Sequence, residues 1–269
     1  NIVFSDVDGN DTYTVGNVPS SEGYLGTFTT VIDQATKTVT WNFEVNDADL
    51  DSLHEDAVLT QSYTVTISDG NGGTIVETVK ITINGTNDAP TITATSESES
   101  GEGAELTETT MTPMALSASG TFNVQDEDIK DVVAASVTGV SVEFNGVPFT
   151  PPTDGVISTP VEGGEGELST ASAAVVSPEA LIQQFLAMLT VNPASPDAVL
   201  DDTEDADTLT WNFNSGSMNF EQLAAGETVK LTYTVQVQDD SGAANNTATN
   251  TVTILITGTN DAPTIVEAG

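Results

Sequence analysis

Apolar and polar positions alternate along much of this chain. The period of two is clearest in KTVTWNFEV (37–45), YTVTIS (63–68), TVKITIN (78–84), VKLTYTVQVQ (229–238) and TVTILIT (251–257). Val, Ile, Thr and aromatic residues in such alternation put one row of side chains in a core and the other in water. That is the mark of half-buried antiparallel strands. Turn residues separate the runs, as in DGNGG (69–73). One segment breaks the period. SPEALIQQFLAMLT (177–190) places Leu181, Ile182, Phe185, Leu186 and Leu189 on one helical stripe, with Ser177 as N-cap, Pro178 in the first turn and Glu179 at the positive end of the dipole. The pattern predicts an all-β chain of antiparallel β-sandwiches with one short α-helix. The helical stripe is expected to pack on a sandwich, with a ligand groove as the alternative.

The strands recur in the same order twice. GTNDAPTI stands at 85–92 and again at 258–265, each time after an alternating run. TWNF stands at 40–43 and 210–213; a Tyr follows each Trp by 22 residues (Tyr63, Tyr233), and an Asp follows each Tyr by 6 (Asp69, Asp239). Leu53 and Leu223 each precede their Tyr by 10 residues, and acidic triplets follow a strand at SDVD (5–8) and QDED (125–128). Two tandem units are therefore expected, 1–90 and 91–263, with 264–269 as a tail or the start of another. Asp8 to Trp41 is 33 residues and Asp128 to Trp211 is 83, so the second unit carries 50 more, an insert around 140–205 that includes the helix. The second unit has a candidate first strand, ELTET (105–109). The first unit begins at the strand leading into SDVD. Its own first strand is expected to be missing, leaving an edge for a neighbouring chain or the C-terminal tail to fill.

Charge narrows the function. The chain has 41 acids, four Lys, no Arg and one His, a net charge of −37. Such a surface cannot neutralise phosphates, so nucleic acid and anionic membranes are excluded as partners. It repels itself unless cations bind. Clustered acids favour divalent cations; solubility or a salty habitat is the bland alternative. There is no Cys, so an oxygen-liganded metal is the expected staple in place of disulfides. No signal peptide or membrane span is read. His54 stands alone, which excludes zinc of the usual kind, and no G-x-S-x-G elbow accompanies it. Trp41 and Trp211 lie in alternating strands and read as core. The acids lie on repeated hinge loops rather than around one pocket, which argues against a glycosidase and against an enzyme generally.

Several of these motifs carry a resemblance. ELTET (105–109), the G-T-x-x-V-x-D-x-D run from Gly120 to Asp128, LAAGE (223–227) before the aromatic strand and the I-x-G-T-N-D-A-P endings are similar to the cadherin-like VCBS repeats of large bacterial RTX-type surface adhesins. The endings cover both units. ELTET and LAAGE occur only in the second; the first has LHEDA (53–57) instead, and the long insert departs from a minimal repeat. The resemblance implies tandem extracellular cadherin/immunoglobulin-like sandwiches, secreted to the bacterial surface, with Ca²⁺ at their junctions.

Strand order and this resemblance together select ligands. Asn87 and Asp88 of the hinge are expected to meet Asp126 and Asp128, with Asp239 and Asp240 of the turn after the Tyr strand completing the shell from the same pole. By analogy with the acidic motif of cadherins, Glu55 and Asp56 are the donors expected from the first unit, out of NDADLDSLHED (46–56). Asp6 and Asp8, with Asp11, resemble the start of a calcium loop serving a preceding unit. Asp205 and Asp207 are candidates for a separate ion. SESESGEGAE (96–105) reads as a mobile lead-in or as the source of a further Glu. Asn260 and Asp261 of the second hinge should form a half-built site. The expected function is a calcium-stabilised spacer, partnered by neighbouring repeats and supporting adhesion and biofilm formation. A polysaccharide- or surface-protein-binding module built on the insert is the alternative.

Overall fold

The computed structural model describes residues 1–8, 10–95, 102–108, 115–149, 178–218 and 220–262. Ser177, Thr109, most of the insert between 150 and 177, and the tail 264–269 lie outside them. Two compact units emerge: Asn1–Asp88 together with Glu127–Ile129, and Ala89–Asp126 together with Lys130–Gly269.

The first unit pairs two three-stranded sheets. One contains β1 (Ile2–Val3), β4 (Thr38–Glu44) and β3 (Thr27–Asp33), in that order; the other contains β2 (Thr14–Pro19), β5 (Val58–Ser68) and β6 (Thr74–Asn84). All their pairings are antiparallel. The inward rows of the alternating runs meet in one core, where Tyr13, Phe28, Val39, Tyr63, Val65, Ile67 and Val79 are buried. Phe28 stacks on Tyr63 with ring centroids 4.2 Å apart. Trp41 packs beside Phe28 at 5.8 Å but stays half-buried.

The second unit is larger and better sealed. One sheet orders β12 (Leu189–Asn192), β14 (Ala206–Asn214), β9 (Ser117–Gln125) and β7 (Thr91–Ala94). The facing sheet orders β11 (Val147–Pro148), β10 (Val133–Phe144), β15 (Thr228–Gln238), β16 (Thr247–Thr257) and β8 (Glu102–Thr107), with β13 (Ala198–Leu200) also on β10. Its core buries Trp211, Tyr233, Phe122, Phe213, Leu231, Ile254 and Ile256 almost completely. Helix α1 (Pro178–Leu186) carries its stripe into that core, with Phe185 buried, Leu181 and Ile182 packed against it, and the Tyr233 hydroxyl donating to the Phe185 carbonyl at 3.0 Å. Burial pushes the Tyr233 hydroxyl pKa upward, so this donor keeps its proton.

The expected fold class, all-β with two sandwich units and one short helix, is what the structure shows. The candidate first strand ELTET (105–109) falls within β8 (Glu102–Thr107) as far as Thr107, and β8 runs parallel to β16. Ala104 and Leu106 face the core while Glu105 is exposed; 96–101 and Thr109 lie outside the described residues.

Registers show how far the units share a frame. Ile2 pairs with Val39 and Phe122 with Leu209. Tyr63 pairs with Pro19, and Tyr233 with Val140. Trp41 pairs with Thr30, and Trp211 with Val191. Strand β10 thus stands where β2 does, and β12 where β3 does. Most of the additional chain falls between β10 and β12, in a loop that needs only seven residues, 20–26, between β2 and β3. Gly85 and Gly258 likewise sit alike: each donates its N–H across to the loop before the Tyr strand, to Ala57 and Glu227. A Cβ at either would run into the carbonyl of Leu53 or Leu223. Close backbone approach is therefore why each hinge octapeptide opens with Gly.

Gly120 faces the Trp211 ring, where a Cβ would lie 2.6 Å from ring carbons. Gly120→Ala should therefore overpack the core and cost about 1–3 kcal/mol. The expected outcome in thermal melting is a Tm lowered by several degrees with the β-sheet circular dichroism spectrum retained.

Candidate metal centre

At the end of β9 the chain turns through Asp126–Asp131 before entering β10. The strand ladder fixes both ends of this turn. Gln125 pairs with Thr91 and Ala206, and Val133 with Leu200. The Asp126 N–H donates to the Asp205 carbonyl at 2.9 Å, and the Val132 N–H to the Asp240 carboxylate at 2.9 Å. So held, the turn folds three carboxylates inward. Asp126, Asp128 and Asp131 are 2%, 1% and 6% exposed, and each offers an oxygen within 4.8 Å of the others. Burial strips water from all three, and their proximity adds mutual repulsion. Asp239, in the turn after β15, is also buried, its carboxylate accepting from the Ser241 N–H at 3.0 Å and from the Ser241 hydroxyl.

The first unit repeats the arrangement in more open form. Asp6, Asp11 and Asp69 bring oxygens within 4.8 Å of one another, all half-buried. A constant offset of 120 residues carries Asp6, Asp8 and Asp11 onto Asp126, Asp128 and Asp131. An offset of 170 carries Asp69 onto Asp239. The two groups thus share two positions, Asp6 with Asp126 and Asp11 with Asp131, and differ in the third, Asp69 in the first and Asp128 in the second. Asp11 also accepts from the Asn71 side chain at 2.9 Å. Its pKa is raised by partial burial and by the charges of Asp6, Asp8 and Asp69, against the pull of that hydrogen bond.

The other selected residues fall as follows. The Asp88 N–H donates to the Asp128 carboxylate at 2.7 Å, and the Asn87 side chain donates to the Asp88 carbonyl at 2.8 Å. Burial raises the Asp88 pKa, and the charges of Asp51, Asp47 and Glu127 raise it further. Burial also raises that of Asp128; the Asp88 N–H and His54 oppose the rise, while the charges of Asp88 and Glu55 add to it. Glu55 has Oε2 buried without a hydrogen-bond partner among the described residues. Asp56 and Asp8 are exposed. Asp205 takes part through its backbone; its side chain and that of Asp207 are exposed, and Asp207 accepts from the Thr208 N–H at 2.6 Å. Asp205 and Asp207 join no acidic group among the described residues. Asn260 and Asp261 repeat the first hinge's contact, side chain to carbonyl at 3.2 Å, and are exposed.

Two residues escape the sequence reading. Asp131 completes the buried triad, and the 120-residue offset that links SDVD with QDED would have found it. Glu108, at the end of β8, is 1% exposed; its Oε2 accepts from the Thr259 N–H at 2.7 Å and hydroxyl at 3.0 Å, and its Oε1 is buried without a partner among the described residues. No spacing marks it, because ELTET has no counterpart in the first unit.

These donors fit a hard cation. They are carboxylates, carbonyls and Asn side chains, with no sulfur ligand available, the oxygen set that calcium takes at six to eight positions. Buried oxygens of Glu55 and Glu108 that lack partners are the sort of acceptor a cation satisfies.

No family model matches the chain, and no curated protein does. Among solved structures, zebrafish RET cadherin-like domains 1 to 4 share 10% identity over 92% of this chain and 42% of that one, with a TM-score of 0.26. Protocadherin gamma B2 cadherin domains 1–5 share 13% over 92% and 40%, TM-score 0.35. Human CDH23 EC21–23 shares 11% over 95% and 66%, TM-score 0.34. The chain spans less than half the length of the RET and protocadherin chains. The fold stated above rests on the strand pairing itself. Among the described residues no helix is long and apolar enough to cross a membrane.

Two outcomes follow for the metal-free chain. Asp88 and Asp128 have folded pKa values above the ordinary carboxylate value of 3.8. The native state therefore binds protons more readily than the unfolded chain does. Lowering pH from neutral toward the carboxylate range should raise Tm in chelator, until both states are protonated. Replacing one buried charge, as in Asp131→Asn, should likewise raise Tm in chelator but lower it relative to wild type in 10 mM calcium. Differential scanning calorimetry under both conditions reads the crossing.

Proposed function

We propose that this chain is a calcium-stabilised spacer from the extracellular surface of a bacterium, built from tandem sandwich units that hold an adhesive region away from its anchor. The observation that supports it best is the buried triad of Asp126, Asp128 and Asp131, with its half-buried counterpart in the first unit. A cation set repeated with each unit suits a scaffold, since a catalytic site needs one assembly and a spacer needs one per repeat. Under this reading Asp126, Asp128, Asp131 and Asp239 hold calcium, and Asn87, Asp88, Glu55 and Asp56 are candidate calcium ligands in their own right. Asp6, Asp8, Asp11 and Asp69 hold calcium in the first unit. The Asp88 N–H already holds Asp128, so a cation on Asp128 orders the hinge backbone that precedes it. Glu108, Asn260 and Asp261 form the corresponding set at the second hinge.

Extracellular calcium modules bind with dissociation constants of about 10⁻⁴ to 10⁻³ M. At roughly 10 mM calcium each site then stabilises the folded chain by about 1.4–2.7 kcal/mol. Several such sites rival the stability of an ordinary domain, about 5–15 kcal/mol. The alternative, a polysaccharide- or protein-binding module on the insert, draws less support, because the apolar stripe of α1 is spent on the core.

Calcium titration with melting and small-angle scattering in the same buffers tests the reading. A rise in Tm of several degrees, with a longer and narrower scattering envelope, is the expected result. Tm and envelope both unchanged up to 10 mM calcium would overturn it.

A further inference from the structure

Three Asn-Gly pairs occur in this chain: Asn71–Gly72, Asn84–Gly85 and Asn145–Gly146. Such a pair has a chemistry of its own. Glycine has no side chain to shield its backbone nitrogen or to restrict its dihedral angles, so that nitrogen can close on the side-chain amide of the asparagine before it. Sequence makes the three pairs equivalent, and all three asparagines are exposed. Their hydrogen bonds separate them.

Asn84 ends β6, opposite Val58. The Gly85 N–H, the group that would attack, donates to the Ala57 carbonyl at 2.9 Å. A Cβ at Gly85 would run into the carbonyl oxygens of Leu53 and His54, so this pair has neither a free nitrogen nor room to rearrange. Asn145 lies in the tight turn between β10 and β11 with φ 50°. Its side chain is held at both ends: Oδ1 accepts from the Thr228 N–H at 2.7 Å, and Nδ2 donates to the Glu227 carboxylate at 3.4 Å. Turning the side chain toward Gly146 would break both bonds.

Asn71 stands at the tip of the loop between β5 and β6, and it differs on both counts. The Asp69 carboxylate accepts from the Asn71 N–H at 2.7 Å and from the Gly73 N–H at 2.9 Å. The backbone is thus pinned on either side of Gly72. The Gly72 N–H itself meets no acceptor among the described residues, and nothing lies within 4 Å of where a Cβ would stand. The Asn71 side chain is tied only through Nδ2, which donates to the Asp11 carboxylate at 2.9 Å. The attacking nitrogen and the side-chain carbonyl are both free, and the group that is held is the one that departs.

We propose that Asn71 is a site of spontaneous modification, converted in water to aspartate and isoaspartate. The Gly72 nitrogen bonds to Cγ of Asn71 and gives its proton to solvent. The Cγ–Nδ2 bond breaks and ammonia leaves. Water then opens the five-membered imide. Opening at Cγ gives aspartate; opening at the original peptide carbonyl gives isoaspartate, with the chain continuing through the side chain. Either product puts a carboxylate where an N–H donor now meets Asp11, so the group of Asp6, Asp11 and Asp69 gains a fourth acid. In the second unit Ser241 stands in the place of Asn71, at the offset of 170 that relates Asp69 to Asp239. The proposal does not depend on calcium.

The test incubates the full chain in chelator at mildly alkaline pH, folded and in parallel in urea, and maps aspartate and isoaspartate by peptide mass spectrometry. In the folded chain, conversion at Asn71 should run about fivefold or more ahead of Asn84 and Asn145, the factor set by having to give up a hydrogen bond first. In urea the three rates should draw together. Anion exchange should resolve a more acidic form of the folded chain, and Asn71→Ser, which installs the second unit's residue, should lose it. The mapping uses the wild-type chain, so it stands even if that variant fails to fold. Conversion at Asn71 no faster than at Asn84 or Asn145 in the folded chain, or a preference for Asn71 that persists unchanged in urea, would each overturn the proposal.

Discussion

Burying several carboxylates side by side is the constraint around which this molecule is arranged. Asp126, Asp128 and Asp131 have lost most of their water. In such surroundings a carboxylate must be offset by hydrogen bonds, a proton or a cation, because uncompensated buried charge is too costly to keep. The strands exist independently of that choice, since their alternating faces supply the core. What the strands add is position: β9 and β10 are fixed by sheet pairing, and the turn between them has no freedom to splay its acids into solvent. Asp205, Asp239 and Asp240 then close the same pole through backbone and side-chain bonds. A chain with 41 acids and four Lys has little cationic side chain to set against them, and a group of this kind could hold a metal ion.

The duplication shows how completeness of a sheet sets burial throughout a unit. Where β8 covers β16, Ile254 and Ile256 are sealed; on β6, which among the described residues pairs with β5 alone, Ile81 and Ile83 are half-buried. Trp211 is buried and Trp41 is not. The acidic groups follow the same trend, deep in the second unit and half-buried in the first. Electrostatic interaction around a carboxylate strengthens as solvent recedes, so repulsion is less screened in the deeper group. The two units share one frame of residues and differ in how hard that frame works.

Much of this was legible without coordinates. Alternation named the strands, because a period of two admits one geometry. The octapeptide, TWNF and the Trp-to-Tyr spacing aligned the units, and the same spacings later matched the registers. Asp126 and Asp128 were selected from strand order together with the resemblance. Asp131 was visible in principle, since its offset equals theirs, but QDED drew the reading to a contiguous motif. Glu108 was not visible: its importance comes from a parallel pairing with β16, and parallel partners leave no local mark. The exposure of Asp205 and Asp207 was not legible, because density of charge along a chain says nothing about which way the side chains face.

The sequence by itself determined the fold class, the repeat and the carboxylate chemistry of the acidic groups. These depend on composition and on distances along the chain, which residue order contains. Only the tertiary structure decided which acids are buried, that Asp205 meets the Asp126 N–H through its carbonyl, and that β8 joins β16 in parallel. Those outcomes depend on which residues far apart in sequence become neighbours. Desolvation and steric contact act through space, so their consequences appear only once the sheets have paired.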